Sequence, residues 1–280
     1  MAKKKEQFKN DRALRFYYEV LGLERLHYGL WTDEDERSLE GVKTAQKRYE
    51  DFLVEKIKKL APSPVDCSVL DVGCGSGVMS QTLYEKSFEV EGLSPDLYQK
   101  EVFEKRIPVA FHLARFQTFT PSKKYDIVLM SESAQYIPMK RLFENAANCL
   151  QKQGYLMVCD YFTFDHASGP LAKSGHRLST FLELAKESGF NLVEDQDITG
   201  ETIPTLDTAR DFAHRYILPS IDIFSEKLTQ KYPLLFRASQ WLFRKKIRKA
   251  WNNLALLDSE EFAKNKSYRY MLFQIGQEGS

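Results

Sequence analysis

Three glycines at alternate positions, Gly73, Gly75 and Gly77, follow an apolar run over residues 69–72, and residues 78–86 then read as a helix. Glycine has no Cβ, so the chain can turn tightly there and a ligand can reach bare backbone. The first N–H groups of a helix lack internal partners, which favours a carboxylate or phosphate at such a turn. Asp71 stands just before the glycines and Cys74 between them. Away from this turn, His27, His112, His166, His176, Glu132 and Asp160 are the side chains whose chemistry suits proton transfer. The spacing narrows the ligand. A dinucleotide loop of the G-x-G-x-x-G type needs glycine at position 78, where Val78 stands, and no Gly-Lys-Ser/Thr follows as a P-loop needs.

The elements that hold this turn alternate in the way of an α/β domain. Strands are predicted over 68–72, 88–93, 109–113, 125–131, 154–162 and 190–198, with helices over 139–150 and 176–188 between the later ones. The second strand ends at Ser94-Pro95-Asp96, where Ser94 is expected to cap a helix that Pro95 begins. Such an order calls for a largely parallel sheet with helices on both faces. Ahead of it, residues 1–60 read as a helical cap. Within the cap, Val42, Ala45, Tyr49, Phe52, Ile57 and Leu60 form one apolar stripe, and Lys43, Lys47, Arg48, Glu50, Glu55 and Lys58 its solvated face. Residues 61–198 and 266–280 form the core. Residues 199–265 carry no strand signal and read as a helical lid over the sheet's carboxyl edge, before a last strand over 268–275. The lid holds Phe212, Tyr216, Phe224, Tyr232, Phe236, Trp241, Phe243 and Trp251, expected mostly as core between lid and sheet.

The chain of 280 residues has 40 Lys+Arg against 39 Asp+Glu, a net charge of +1 that gives no global attraction to nucleic acid or anionic membrane. Cys67, Cys74, Cys149 and Cys159 form no C-x-x-C pair and have no histidine at zinc-like spacing, so they read as reduced, buried thiols and no metal site is expected. The basic start is not followed by an apolar core, and no stretch is apolar enough to span a bilayer, so a cytoplasmic location is expected.

The segment Leu70-Asp71-Val72-Gly73-Cys74-Gly75-Ser76-Gly77, with a strand before and a helix after, resembles the first motif of class I S-adenosylmethionine-dependent methyltransferases. The resemblance covers roughly 65–198 and 267–276. It implies a Rossmann-like seven-stranded sheet of order 3-2-1-4-5-7-6, mostly parallel, with the last strand antiparallel. It also implies that S-adenosylmethionine is the cofactor, with S-adenosylhomocysteine the product. Gly73, Cys74, Gly75 and Gly77 would line the methionine part, Asp71 would organise the loop, and Ser131 would lie by the amino group. The acid that commonly ends the second strand and takes the ribose hydroxyls is absent. Ser94 is the candidate in its place, with Asp96 if the turn folds back, and Arg115 and Phe116 are the candidates at adenine.

The loop His27-Tyr28-Gly29-Leu30-Trp31 is similar to a His-Gly-Tyr/Trp segment of small-molecule methyltransferases, the tocopherol, sterol, natural-product and cyclopropane-lipid enzymes among them. Two readings of Tyr28 and Trp31 stand together: they close the cofactor pocket, where aromatic faces attract a sulfonium, or they pack the cap onto the core. Glu132, Gln135, Tyr136, Tyr161 and Tyr216 are expected around the acceptor, with His166, beyond the fifth strand, as the base. The expected reaction is direct methyl transfer to a small lipophilic molecule. An RNA or protein methyltransferase and a non-catalytic cofactor-binding subunit are the alternatives. Against RNA, the fourth strand ends in Met130-Ser131-Glu132-Ser133 and not in the Asn/Asp-Pro-Pro-aromatic of base-amino methylation. The basic run over 244–249 has three readings: the solvated face of an amphipathic helix, a peripheral contact with anionic lipid, or a phosphate contact.

Overall fold

A computed structural model describes residues 15–61, 63–234, 237, 241–242, 244–245 and 256–276. Eight strands form one sheet: β1 (Ser68–Val72), β2 (Glu89–Ser94), β3 (Phe111–Leu113), β4 (Tyr125–Ser131), β5 (Leu150–Thr163), β6 (His176–Arg177), β7 (Phe190–Asp197) and β8 (Lys266–Ile275). Their order is β3-β2-β1-β4-β5-β8-β7, with β6 paired to β5 off this path. The strands from β3 to β5 run parallel, and β8 lies antiparallel between β5 and β7. This is the expected order with one short strand added.

β1 is buried at all five positions, as a strand covered on both faces must be. One face is covered by α1 (Leu39–Leu60), α2 (Val78–Glu85) and α3 (Leu97–Arg106), around Tyr49, Leu53, Ile57, Leu83 and Phe103. The other is covered by α4 (Met139–Cys149) and α5 (Leu178–Glu187), where Phe143, Phe181, Phe190 and Phe273 meet. All four cysteines are free and buried. Among the described residues no helix is long and apolar enough to cross a membrane.

Several expectations are corrected. The helix after β2 is capped by Asp96, whose carboxylate accepts from the Gln99 N–H at 3.0 Å, while Ser94 stays in the strand. His176 does not start a helix. It sits in β6, and its Nε2 donates to the Ala134 carbonyl at 2.9 Å, so α5 begins two residues later. Glu50, expected in solvent, is 3% exposed, because a segment from outside α1 folds over it.

The insertion between β7 and β8 begins with α6 (Thr199–Thr202) and α7 (Pro204–Phe212), where Thr202, Leu206 and Thr208 are buried. Then follow a π-turn (Ala213–Ile217), which buries Ala213, and α8 (Leu218–Lys231), which buries no residue. Tyr216, Phe224, Tyr232 and Trp241 are exposed, so these aromatics do not form the expected core between lid and sheet. Phe236, Phe243, Lys246, Ile247, Arg248, Lys249, Ala250, Trp251 and Leu254 lie outside the described residues, as do residues 1–14 and 277–280. A last helix, α9 (Ser259–Asn265), leads into β8.

Candidate active site

The turn after β1 takes the conformation its glycines allow. Gly73, Gly75 and Gly77 have φ of 78°, 56° and 84°. A Cβ on Gly73 would come within 2.4 Å of the Ser133 Cβ, and one on Gly77 within 2.6 Å of the Phe103 ring. Gly75 is different: a Cβ there would meet nothing within 4 Å, because this residue faces an open cavity. Asp71 sits buried beneath the turn and accepts the Ser80 hydroxyl at 2.6 Å. Burial pushes its pKa up to about 6, against the opposing pull of that hydrogen bond.

The cavity has a volume of about 500 Å³, inside the range of small-molecule and cofactor sites. The carboxyl ends of β1 to β4 each contribute to its wall. The glycine turn gives Gly73, Cys74, Gly75 and Ser76, and the end of β2 gives Ser94, Asp96 and Gln99. Arg115, Phe116 and Gln117 come from beyond β3, and Ser131, Glu132, Ser133, Tyr136 and Ile137 from the end of β4. The Ser94 hydroxyl donates to Gln99 Oε1 at 2.5 Å and accepts from the Asp96 N–H at 3.2 Å, so these three act as one polar group.

The remaining wall is an arm, residues 24–31, that crosses from the cap to the sheet. Glu24, Arg25, Leu26 and His27 line the cavity. Polar contacts pin this arm along its length. The Ser76 hydroxyl donates to the Glu24 carbonyl, and Gln46 Nε2 donates to the Arg25 and His27 carbonyls at 3.1 and 2.6 Å. The Tyr28 N–H donates to Glu132 Oε1 at 2.5 Å, and the Gly29 N–H and Trp31 Nε1–H both reach Thr205 Oγ1, at 3.0 and 2.8 Å. Arg25 Nε donates to Glu50 Oε2 at 2.7 Å, which accounts for a buried carboxylate on α1.

Glu50, Asp71 and Glu132 bring three carboxyl groups to this end of the cavity, with Arg25 beside them. Burial raises the pKa of Glu132, whose backbone is left-handed at φ 53° and whose Oε1 also accepts the Tyr268 hydroxyl at 2.6 Å. His27 stacks on Tyr49 with centroids 4.3 Å apart, and its Nδ1 donates to the Tyr28 carbonyl at 2.7 Å. The other nitrogen, Nε2, is buried without a hydrogen-bond partner, 3.7 Å from Glu50 Oε1. In the neutral ring Nε2 then carries a lone pair that needs a donor. The arrangement suits a ligand with N–H or O–H donors and positive charge at this end, and open backbone over Gly75.

Of the residues singled out from the sequence, Asp71, Gly73, Cys74, Gly75, Ser94, Arg115, Phe116, Ser131, Glu132 and Tyr136 come together around this cavity. Gly77 does not line it and packs under Phe103. The Tyr28 ring clusters with Tyr268, Phe262 and Tyr161 at 5.4, 6.2 and 6.5 Å, and only its backbone faces Glu132. Trp31 is buried under Arg37, with 4.6 Å from guanidinium to ring. Gln135 gives its N–H to Asp160 at 3.1 Å, and neither it nor Tyr161 is in the wall. His166 is exposed, stacked on Phe164 at 5.3 Å and bonded to the Lys264 carbonyl at 3.0 Å, away from the cavity. Tyr216 is exposed on the insertion. Glu24, Arg25, Glu50 and Gln99 were not expected in the wall. Pairing Arg25 with Glu50 depends on where the arm crosses α1, and no local pattern marks that crossing.

A family model described as a methyltransferase domain matches residues 45–215, more than half of the chain. No curated protein sequence matches. Among solved structures, one described as a sarcosine dimethylglycine methyltransferase from Galdieria sulphuraria superposes with a TM-score of 0.72 at 17% identity, covering 95% of this chain and 99% of that one. The geranyl diphosphate C-methyltransferase of Streptomyces coelicolor A3(2), in complex with Mg2+, geranyl diphosphate and S-adenosyl-L-homocysteine, gives 0.65 at 15% identity, covering 95% and 94%. The [4+2]-cyclase SpnF gives 0.64 at 15% identity, covering 95% of each chain.

Proposed function

The chain belongs to the methyltransferase-domain family, and on that premise we propose that it transfers a methyl group from S-adenosylmethionine to a small, apolar acceptor. The observation that carries this reading is the cavity over the glycine turn, walled on one side by the pinned arm and acidic at one end. Bound there, the cofactor would supply a methyl group on a sulfonium, open to direct displacement by the acceptor.

In this reading Gly73, Cys74 and Gly75 offer backbone to the methionine part, with Asp71 fixing the turn beneath. Gly77 supports them from behind. His27 Nε2, Glu50 and Ser131 take the ammonium end, where donors and positive charge are favoured. Ser94 with Gln99 and Asp96 takes the ribose hydroxyls, and Arg115 and Phe116 flank the adenine. The acceptor enters past Tyr136 and Ile137, next to the aromatic group of Tyr28, Tyr161, Phe262 and Tyr268. This group supports an apolar acceptor, whereas the exposed aromatics of the insertion no longer do. A displacement of this kind needs alignment and the exclusion of water more than a special side chain. The arm supports the exclusion, since its backbone is bonded to Gln46 on α1, to Glu132 beyond β4 and to Thr205 on α7. Should the acceptor have to lose a proton, Glu132 is the carboxyl group nearest the acceptor side, and its raised pKa fits a base.

A fold shared with a cyclase does not by itself fix the reaction, so the test has two parts. S-adenosylhomocysteine at about a hundredfold excess over its Kd is expected to stabilise the protein by about 3 kcal/mol in a thermal melt. Incubation with methyl-labelled S-adenosylmethionine and cell extract is expected to label a small, organic-soluble product. No stabilisation would remove the cofactor reading. Stabilisation with no labelled product in any fraction would leave a cofactor-binding protein that is not a methyltransferase.

A further inference from the structure

We infer that the outer part of the insertion, the π-turn and α8, docks on an anionic phospholipid surface. The inference goes beyond the proposed reaction and does not depend on it.

Ile217, Ile221, Phe224, Leu228 and Tyr232 recur at steps of three and four residues, so they lie along one face of α8 and its ends. A stripe of this kind normally faces a core. Here it faces solvent: Ile221 is 55% exposed, Phe224 69% and Leu228 48%, and α8 buries no residue at all. The free energy that usually orders an amphipathic helix, burial of its apolar face, is thus left unused within the chain.

Charge selects the occupant. Residues 213–250 hold nine Lys+Arg against two Asp+Glu, in a chain whose totals are 40 and 39. The local excess of seven exceeds the whole chain's excess of one, so the rest of the chain is net negative. Its arrangement around the helix matters as much as the count. At roughly 100° per residue, Lys227 and Lys231 fall along one flank of the apolar stripe. Asp222 and Glu226, the two acids, fall on the far side, where they would point away from a surface met by the stripe. Arg237, Arg244 and Lys245 are exposed further along the chain. Apolar residues inserted to about 5–10 Å with cations at the headgroup level is the pattern of a helix lying in a membrane interface. Each cation near an anionic leaflet strengthens binding about fivefold. A second copy of the chain fits less well, since two such surfaces would bring their cations together.

The test uses the full-length protein and vesicles of phosphatidylcholine alone, or of equal parts phosphatidylcholine and phosphatidylglycerol. The protein is expected to sediment with the anionic vesicles and not with the neutral ones, and to be released by high salt as charges are screened. Ile221→Ser/Phe224→Ser/Leu228→Ser should abolish sedimentation. Lys227→Gln/Lys231→Gln should weaken it by about twenty-fivefold. Both variants should keep the wild-type melting temperature and its shift with S-adenosylhomocysteine, which separates loss of docking from misfolding and from failure of the cofactor reading. Absence of the wild-type protein from anionic vesicles would overturn the inference. So would a lipid-free dimer that the serine variant turns into a monomer, because the stripe would then be an interface between copies.

Discussion

The arm over residues 24–31 and the outer insertion over 213–234 begin alike. Both are aromatic-containing excursions from the sheet domain, and both read from sequence as covers for its carboxyl edge. Their fates differ. The arm packs Tyr28, Leu30 and Trp31 inward, and its backbone also finds acceptors and donors on α1, on the end of β4 and on α7. The insertion has many large apolar residues and stays exposed. Apolar content sets how much a segment gains if covered, but specific polar partners decide where it is held. A buried polar group left without its partner costs more than a made hydrogen bond contributes, so the clasp on the arm is sharply defined while the stripe accepts any apolar surface.

That contrast can be broken at either region. The largest effect is expected at the turn under the arm. Gly73→Ala combines left-handed backbone with a Cβ placed 2.4 Å from that of Ser133. We expect a loss of about 3 kcal/mol in urea unfolding, from the backbone cost and the overpacking together, along with loss of S-adenosylhomocysteine binding. A loss no larger than that of a surface substitution would mean that the turn is not tightly held.

A second, graded effect comes from Asp160, which is buried in β5 and accepts the N–H groups of Gln135 and Tyr161 at 3.1 and 2.8 Å. Burial, then the neighbouring charge of Glu132, push its pKa up to about 8, while those N–H bonds pull the other way. Across the interval between its unfolded value and about 8 the folded state holds the extra proton. The stabilisation is therefore complete at low pH and is lost as pH rises through that interval, by about 1 kcal/mol per pH unit. Asp71, raised to about 6, adds to the same trend below neutrality. Asp160→Asn should flatten the stability profile between pH 6 and pH 8 in chemical denaturation, and an unchanged slope would assign the trend to other groups.

The smallest effect belongs to the insertion. Leu228→Ser is expected to change the unfolding free energy by less than about 0.5 kcal/mol, as for other surface positions. A cost near 2 kcal/mol would show that α8 is packed in solution and would erase the contrast with the arm.

What the sequence makes legible follows the range of the interactions. The glycine turn is a local device, and Gly73, Gly75 and Gly77 could be read from spacing alone. Strand order followed from the alternation of elements, because each parallel crossover leaves little choice. Glu50 reads as solvated because a helical wheel shows only one element. Beside Tyr49 it sits at the edge of the stripe, and its burial is decided by Arg25, far away in the chain. His166 drew attention by standing after β5, but the chain turns there and leaves it in solvent. The aromatics of the insertion looked like core because composition records apolar content and not what covers it. Ser94 and Asp96 both suit the cap position by residue type. The choice between them depended on where β2 released the chain.

β8 is the last strand in the chain, yet it lies inside the sheet between β5 and β7. From that position it also supplies the Tyr268 hydroxyl to Glu132, the residue that clasps Tyr28. During synthesis, residues 24–31 emerge first, and their partners Glu132, Thr205 and Tyr268 emerge successively later. Gln46, Ser76 and Glu132 can hold the early segment first, its clasp is completed only when Thr205 has been made, and the sheet keeps a gap between β5 and β7 until β8 arrives. Every residue of the cavity wall lies between positions 24 and 137, so β8 adds the Tyr268 hydroxyl behind Glu132 only after the whole wall has been made.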